Sequence, residues 1–535
     1  MPTSTRRFTL GVLAFSLIST PVAVAGVAAS APADRGPGAR VDSTVHADSN
    51  GKRYVVDPRA NLTHRRATPT VTPYPLNQTF LLHSKAGSQH TIYLDFDGTD
   101  VTGTGWNAIG VTPGFQQGWS LDGDWSTFND AERTAIQSIW QRVSEDYAPF
   151  DVDVTTLDPG DAAIDRADAG DPVFGTRALI SQSSQAWDAL CTQLCGGIAY
   201  IDVFDVPDNH AGYQPAWVFA DGLSNDTKAI AEATSHEVGH NFGLSHDGNA
   251  SQGYDEGHGS WAPIMGSAYD RPISQWSKGD YSGANNQQDD LATIAIDGAP
   301  LRADESATLP TGAAYITTRL DTDTYDLGSC SGPVNLTANP APTSPNLDIR
   351  LSLLDASNAT ITSDDPPSAQ TSSDTASGMG AAISTSVPAG TYKVKVDGVG
   401  NGTAVTGYDD YGSVGAYTLT VTGSCVTGPG ITVPPGPPSI GRAASGAKGG
   451  RSTATATWLP PVDDGGAPIL KYRVVAYRLN SSGGVVGSVR SALLSPTARS
   501  LKMKLAKGRW RFGVVALNSA GEGPVSGKSN AVTAR

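Results

Sequence analysis

A chain of 535 residues exceeds what one hydrophobic core usually supports and predicts several domains. Hydrophobic residues make up 39% and charged residues 17%, with 60 glycines and 35 prolines, a balance of β-rich modules joined by turns rather than of helical bundles. The formal net charge of -15 opposes phosphate backbones and anionic membrane surfaces, which argues against nucleic acid as a partner.

The chain opens with Arg6 and Arg7, an apolar run from Phe8 to Ile18, and small residues ending at Ala25. This is the order of an export signal, so residues 1–25 are expected to be a signal peptide cleaved after Ala25. The arginine pair leaves both the general and the twin-arginine route open. No other segment is long and apolar enough to span a bilayer, so a secreted, extracellular protein with bacterial-type export is expected. Four cysteines suit that destination. Cys191 lies close to Cys195, and Cys330 and Cys425 flank another region, so two within-domain disulfides are the simplest of three pairings.

Residues 26–77 are rich in Ala, Arg, Pro, Thr and Asp without sustained periodicity, and are expected to be a largely irregular propeptide. A strand is predicted at Thr91 to Phe96, then a helix from Asp130 to Tyr147 with Ile136, Ile139, Trp140 and Val143 at helical spacing. Further strands are predicted at Phe150 to Thr155, Thr176 to Ser181, Gly197 to Phe204 and Ala216 to Ala220. A second helix is predicted from an Asn225 cap to about Phe242. Strands interleaved with two long helices indicate an α/β domain over residues 78–300. Within it, the acidic loop holding Asp158, Asp161, Asp165, Asp168 and Asp171 lacks the ordered ligand spacing of an EF-hand, so no specific motif supports Ca²⁺.

From residue 308 to 425 the pattern becomes short alternating strands, including Asp348 to Leu354, Thr391 to Val396 and Tyr417 to Val421, and predicts a β-sandwich. Residues 426–438 read as a Pro/Gly-rich linker. Residues 439–535, with Trp458, Tyr472, Val474, Trp510, Phe512 and Val514, predict a second sandwich. These C-terminal modules are expected to position the chain on substrates, an extracellular surface or a polymer.

The second helix ends in His236, Glu237, Val238, Gly239, His240, Asn241, Phe242, Gly243, Leu244, Ser245 and His246. Residues four apart share a helix face, so His236 and His240 can aim their imidazoles at one metal ion. Gly243 can adopt the left-handed conformation that stops a helix and return His246 to the same ion. Three neutral imidazoles leave one position of a tetrahedral Zn²⁺ open for water, the arrangement of a catalytic site. Glu237, one position round, reaches that water as general base without binding the metal. The expected reaction is hydrolysis of peptide bonds in extracellular proteins, with protein or peptide substrates as partners. The alternative is a binding or adhesion protein with a structural zinc; an intact Glu237 favours catalysis, because a structural site needs no base.

This run resembles the metzincin signature, and Ala262 to Gly266, centred on Met265, looks like the methionine turn beneath the zinc in that clan. Asp247 after His246 is similar to the adamalysin (reprolysin-like) branch, where that acid supports the site from outside the ligand set. The resemblance implies an α/β metzincin domain followed by two all-β sandwiches. Astacins and serralysins place a tyrosine ligand two residues after the methionine, but that position is Ser267 here, and Tyr269 comes too late to be equated with it. Matrix metalloproteases block zinc with a propeptide cysteine, yet no cysteine precedes Cys191, so latency must work differently. His258 is expected to have a structural or substrate-side role. Residues from about 310 to 424 look like the bacterial pre-peptidase C-terminal domain. The last module resembles fibronectin type III, with Trp510 in place of the usual corner tyrosine, which puts its hydroxyl-to-backbone bond in question.

Overall fold

The computed structural model describes residues 44–60, 62, 72–191, 195–305, 307–426, 434–449, 452–461, 465 and 468–534. The expected signal peptide lies outside the described residues. The chain forms β1 (Val45–Ala47), β2 (Arg53–Pro58), β3 (His90–Asp95), β4 (Gly98–Asp100), α1 (Gly105–Ile109), β5 (Phe115–Gln117) and α2 (Asp130–Asp146). It continues through β6 (Asp153–Thr155), α3 (Asp161–Ile164), β7 (Phe174–Ser181), α4 (Ser184–Leu190), β8 (Cys195–Tyr200), β9 (Ala216–Phe219) and α5 (Thr227–Asn241).

Seven strands join in the order β1-β2-β8-β9-β7-β3-β6. The run β9-β7-β3-β6 is parallel, whereas β1, β2 and β8 pair antiparallel with their neighbours. Residues 44–60 therefore differ from the irregular segment expected of them. Val55 is buried, and Tyr54 stacks edge-on against Trp106 and Tyr200. The run from Tyr54 to Val56 finds a strand edge on β8, which supplies the hydrogen bonds and apolar contacts that a short segment cannot make alone.

The two long helices lie against this sheet, each start fixed by a side chain. Asn129 accepts from the amides of Ala131 and Glu132, while the Glu132 carboxylate reaches back to the Asn129 amide at 2.7 Å, a capping box. At α5 the cap is Asp226, which accepts from Ala229 N at 3.0 Å. Asn225, expected in that role, instead takes a left-handed turn. Every residue of α5 from Lys228 onward is buried, so the helix runs through the core rather than along the surface.

After α5 come the parallel pair β10 (Trp261–Pro263) and β11 (Ile273–Gln275), then α6 (Asp290–Ile296). The following region is all-β: β12 (Ala313–Ile316), β13 (Thr322–Pro340), β14 (Ile349–Asp355), β15 (Thr360–Asp364), β16 (Ala369–Gln370), β17 (Ala376–Ser377), β18 (Ala381–Gly398) and β19 (Gly415–Val426). Six of these strands pair in the order β12-β19-β13-β18-β14-β15, beside the small β16-β17 pair. The long β13 and β18 slip register between Asp326 and Gly328 and between Cys330 and Gly332, and such bulges bend a strand.

This sheet shares a hydrophobic core with the α/β part: Val143, Tyr147 and Trp276 belong to the same cluster as Ala314, Tyr325, Leu351, Val394 and Tyr417. Asn346 Nδ2 donates to Asp146 Oδ1 at 2.9 Å, and the Leu291 amide donates to Tyr411 Oη at 2.9 Å. Residues 434–534 enclose a separate core of Trp458, Tyr472, Val474, Trp510, Phe512 and Val514 between two small antiparallel sheets. There the indole of Trp510 donates to Ala506 O at 3.0 Å, a bond to the backbone four residues upstream. The disulfides join Cys191 to Cys195 and Cys330 to Cys425, the latter directly opposite across β13 and β19. Among the described residues no helix is long and apolar enough to cross a membrane.

Candidate metal centre

The end of α5 is set by Gly243 at φ +86, where the Gly243 amide donates to His240 O and the Leu244 amide to Gly239 O. These two bonds form a Schellman cap, which needs a residue that tolerates the left-handed region. The chain turns through it and brings His246 back beside the helix: ring centroids of His236 and His240 lie 4.8 Å apart, and those of His240 and His246 lie 4.9 Å apart.

Backbone carbonyls fix the tautomers. His236 Nδ1 lies 2.9 Å from Ile264 O and His240 Nδ1 lies 2.8 Å from Leu244 O. A carbonyl can only accept, so each Nδ1 carries the proton and each Nε2 of the neutral ring presents a lone pair to the centre. Burial pushes His240 down to about 4, so its imidazole is neutral near pH 7.

A fourth donor, absent from the expected set, completes the cluster. Asp57, on β2, places Oδ2 3.2 Å from His236 Nε2 and from His240 Nε2, and Oδ1 2.9 Å from His246 Nε2. Tyr254 Oη donates to the same Oδ1 at 2.5 Å and its ring lies 4.2 Å from that of His246. Thus a carboxylate of the chain itself faces the three imidazoles, on the side where a position open to water was expected. Lone pairs of two neutral imidazoles facing one carboxylate oxygen repel, and a cation between them turns that repulsion into attraction. Neighbouring ligands of a tetrahedral zinc with arms of about 2.0–2.1 Å sit about 3.3 Å apart. The separations of 2.9 to 3.2 Å and the all-N/O donor set therefore fit such an ion.

Glu237 is buried, and its carboxyl is pushed well above the usual range by that burial, with the Asp57 carboxylate adding to it. It packs against Gly197 of β8, where a Cβ would overlap Glu237 Oε1. Gly239, on the same helix, faces Met265, since a Cβ there would lie 2.6 Å from Met265 Sδ. Met265 is fully buried under the helix. The amide of Asp247 donates to Met265 O at 2.8 Å, and its side chain accepts from Asn286 Nδ2 at 3.2 Å, so Asp247 ties the His246 turn to the Met265 turn. Burial raises the Asp247 carboxyl to about 7.

Tyr269 lies near the centre: burial raises its hydroxyl far above the usual range, and the nearby charges of Asp57 and Glu237 add to the effect. His258 stands apart from the four-residue cluster, its Nε2 2.7 Å from Gly407 O of the following β region. Asp57 and Tyr254 are functional candidates that the motif did not reveal. The other group among the described residues close enough to share a cation is Asp304, Glu305 and Asp323.

Residues 173–247 match the model of a family described as metallo-peptidase family M12B, reprolysin-like. No curated protein matches the chain. Solved structures with local similarity include "Titin kinase and its flanking domains", 21% identical over 19% of this chain and 17% of that one, with a TM-score of 0.16. Another is "Crystal structure of the FN5 domain of Drosophila Lar", 19% identical over 18% of this chain and 95% of that one, with a TM-score of 0.15. The chain spans less than a fifth of the length of the titin structure. The family match, running from the start of β7 through His236, His240 and His246 to Asp247, supports a metallopeptidase-like domain.

Proposed function

We propose that the protein is a secreted, zinc-dependent endopeptidase acting on extracellular proteins, with residues 78–300 as its catalytic domain. The observation that carries this reading is the convergence of three imidazole Nε2 atoms, two with tautomers fixed by carbonyls, beside a buried carboxyl that does not belong to the ligand set.

His236, His240 and His246 would hold the zinc ion. Bound there, zinc supplies Lewis acidity toward a peptide carbonyl and acidifies water. Glu237 takes a proton from the attacking water and returns it to the leaving amine. Its raised affinity for protons suits a group that must hold a proton between those two steps. Asp247 and the Met265 turn hold the His246 loop in position. Two disulfides are in keeping with an oxidising, extracellular setting. Residues 308–425 and 439–535 are read as a pre-peptidase C-terminal-like and a fibronectin type III-like module; the Trp510 indole bond to Ala506 O supports the latter, by replacing the hydroxyl bond of a corner tyrosine.

The test is hydrolysis of denatured casein by protein whose N-terminal segment has been removed by proteolysis, with and without a chelator. Loss on chelation and recovery with Zn²⁺ are expected. Activity indifferent to chelator overturns the metal mechanism, and absence of hydrolysis under all conditions overturns the peptidase reading.

A further inference from the structure

We infer that Asp57 is a built-in fourth zinc ligand that keeps the chain latent, and that residues 44–60 are an inhibitory strand which occupies the metal and the substrate edge together. The inference rests on the proposed zinc site.

Its first support is the placement of one carboxylate against three imidazoles. Asp57 is 5% exposed, and its two oxygens are shared among His236, His240 and His246 at 2.9 to 3.2 Å. A buried carboxylate without a compensating cation is costly, so this placement is stable when a positive charge sits at the centre. Tyr254 fixes the orientation of Asp57 through the bond to Oδ1.

Strand pairing gives an independent support. β2 runs antiparallel along β8, with Tyr54 opposite Tyr200, Val55 opposite Ala199, Val56 opposite Ile198 and Asp57 opposite Gly197. Without β1 and β2, β8 would be the open edge of the sheet. An open edge next to a hydrolytic centre is where an extended peptide adds as a further strand. Gly197 is the point where the two roles meet: it pairs with Asp57 on one side and touches the Glu237 carboxylate on the other. Residues 44–60 thus hold the position of a bound substrate while offering a carboxylate, which is not cleaved, at the metal.

Because the ligand is covalently part of the chain, it competes at high effective concentration, and release requires cutting the connection to residue 78 and dissociation of the strand. Once Asp57 has left, His236, His240 and His246 would hold the ion with a position free for water.

The experiment uses the full chain loaded with Co²⁺ in place of zinc and follows its visible absorption bands as acetohydroxamate is added. In the wild type the carboxylate should block the probe and the bands should stay fixed. In Asp57→Ala, and in the isosteric Asp57→Asn, the bands should shift at acetohydroxamate concentrations at least ~10-fold lower than any that move the wild type. Equal responses in all three would overturn the assignment of Asp57. Thermal melting of each cobalt-loaded protein checks the fold, and the Asn variant carries the test if the Ala variant does not fold. Peptide hydrolysis by the nicked wild type is a separate readout: its absence would overturn the peptidase reading and leave the ligand assignment standing. A wild-type chain that binds no cobalt overturns both.

Discussion

The α-carbon of Gly197 on β8 lies directly against the carboxylate of Glu237 on α5, so close that a methyl group there would overlap Glu237 Oε1. The absence of a side chain is thus what allows the helix to bring its acid up to the sheet edge. Gly197→Ala should displace Glu237 from the centre while leaving His236, His240 and His246 in place. One zinc per chain should be retained, and peptide hydrolysis should fall at least ~10²-fold, the lower range for loss of a general base. Metal content by mass spectrometry and a peptide assay on the same preparation, its N-terminal segment removed by proteolysis, decide it; unchanged activity would mean that Glu237 does not act from this position.

Direct substitution at the acid separates metal binding from chemistry. Glu237→Gln keeps all three imidazoles and should bind zinc as the wild type does, with activity lower by ~10² to ~10⁴-fold. His240→Ala leaves two imidazoles and removes the bond to Leu244 O, so zinc affinity and activity should fall together. A Glu237→Gln protein that is folded but free of zinc would make Glu237 a ligand.

The helix, its glycine stop and the three histidines were legible in the sequence because each rests on local rules: spacing of four on one face, a left-handed glycine, a short return. The strands at His90, Phe174, Cys195 and Ala216 were legible for the same reason, as apolar alternation between turns. Asp57 was not, because its role depends on pairing between residues about 140 positions apart, which no window of sequence contains. A signal existed in the run Tyr54, Val55, Val56, whose β propensity is out of keeping with an irregular segment. The shared core beyond residue 308 was also illegible, since alternation reveals that a strand has a buried face but not what covers it.

Two carboxyls at that junction make stability depend on pH. Glu145 is raised to about 8 by burial, and Asp146 to about 7 by burial and then by the charge of Glu232. Between the ordinary carboxyl range and these values the folded state holds protons that the unfolded chain has released. The unfolded state then binds fewer protons, and stability falls as pH rises through this window. The melting temperature should therefore be higher at about pH 5 than at about pH 8. Glu145→Gln should flatten this dependence and raise the melting temperature at the alkaline end. Calorimetry on both proteins at the two pH values tests it, and an identical slope in the variant would remove Glu145 from the account.

The same junction governs what truncation does. The sequence casts residues 308–425 as a module that positions the chain on substrates or a surface, but these residues also cover the core beside α2. Removing them uncovers Val143, Tyr147 and Trp276, together with the buried carboxyls of Glu145 and Asp146. Hydrogen bonds lost include Asn346 Nδ2 to Asp146 Oδ1 at 2.9 Å and Gln275 Nε2 to Asn346 O at 2.5 Å. Each such bond contributes about 0.5–1.5 kcal/mol, more where a charged group is involved. In a domain of this size each kcal/mol moves the melting temperature by about 2–4 °C. A chain ending near residue 308 should therefore melt at least ~10 °C lower and lose peptide hydrolysis through unfolding. A chain ending near residue 426 keeps the shared core, because residues 434–534 enclose a core of their own, and should retain peptide hydrolysis within a few-fold. Melting curves on the two truncations, and peptide assays once the N-terminal segment of each has been removed by proteolysis, separate the cases. Equal stability of both would mean that the sheet from β12 to β19 contributes nothing to the fold of the α/β part.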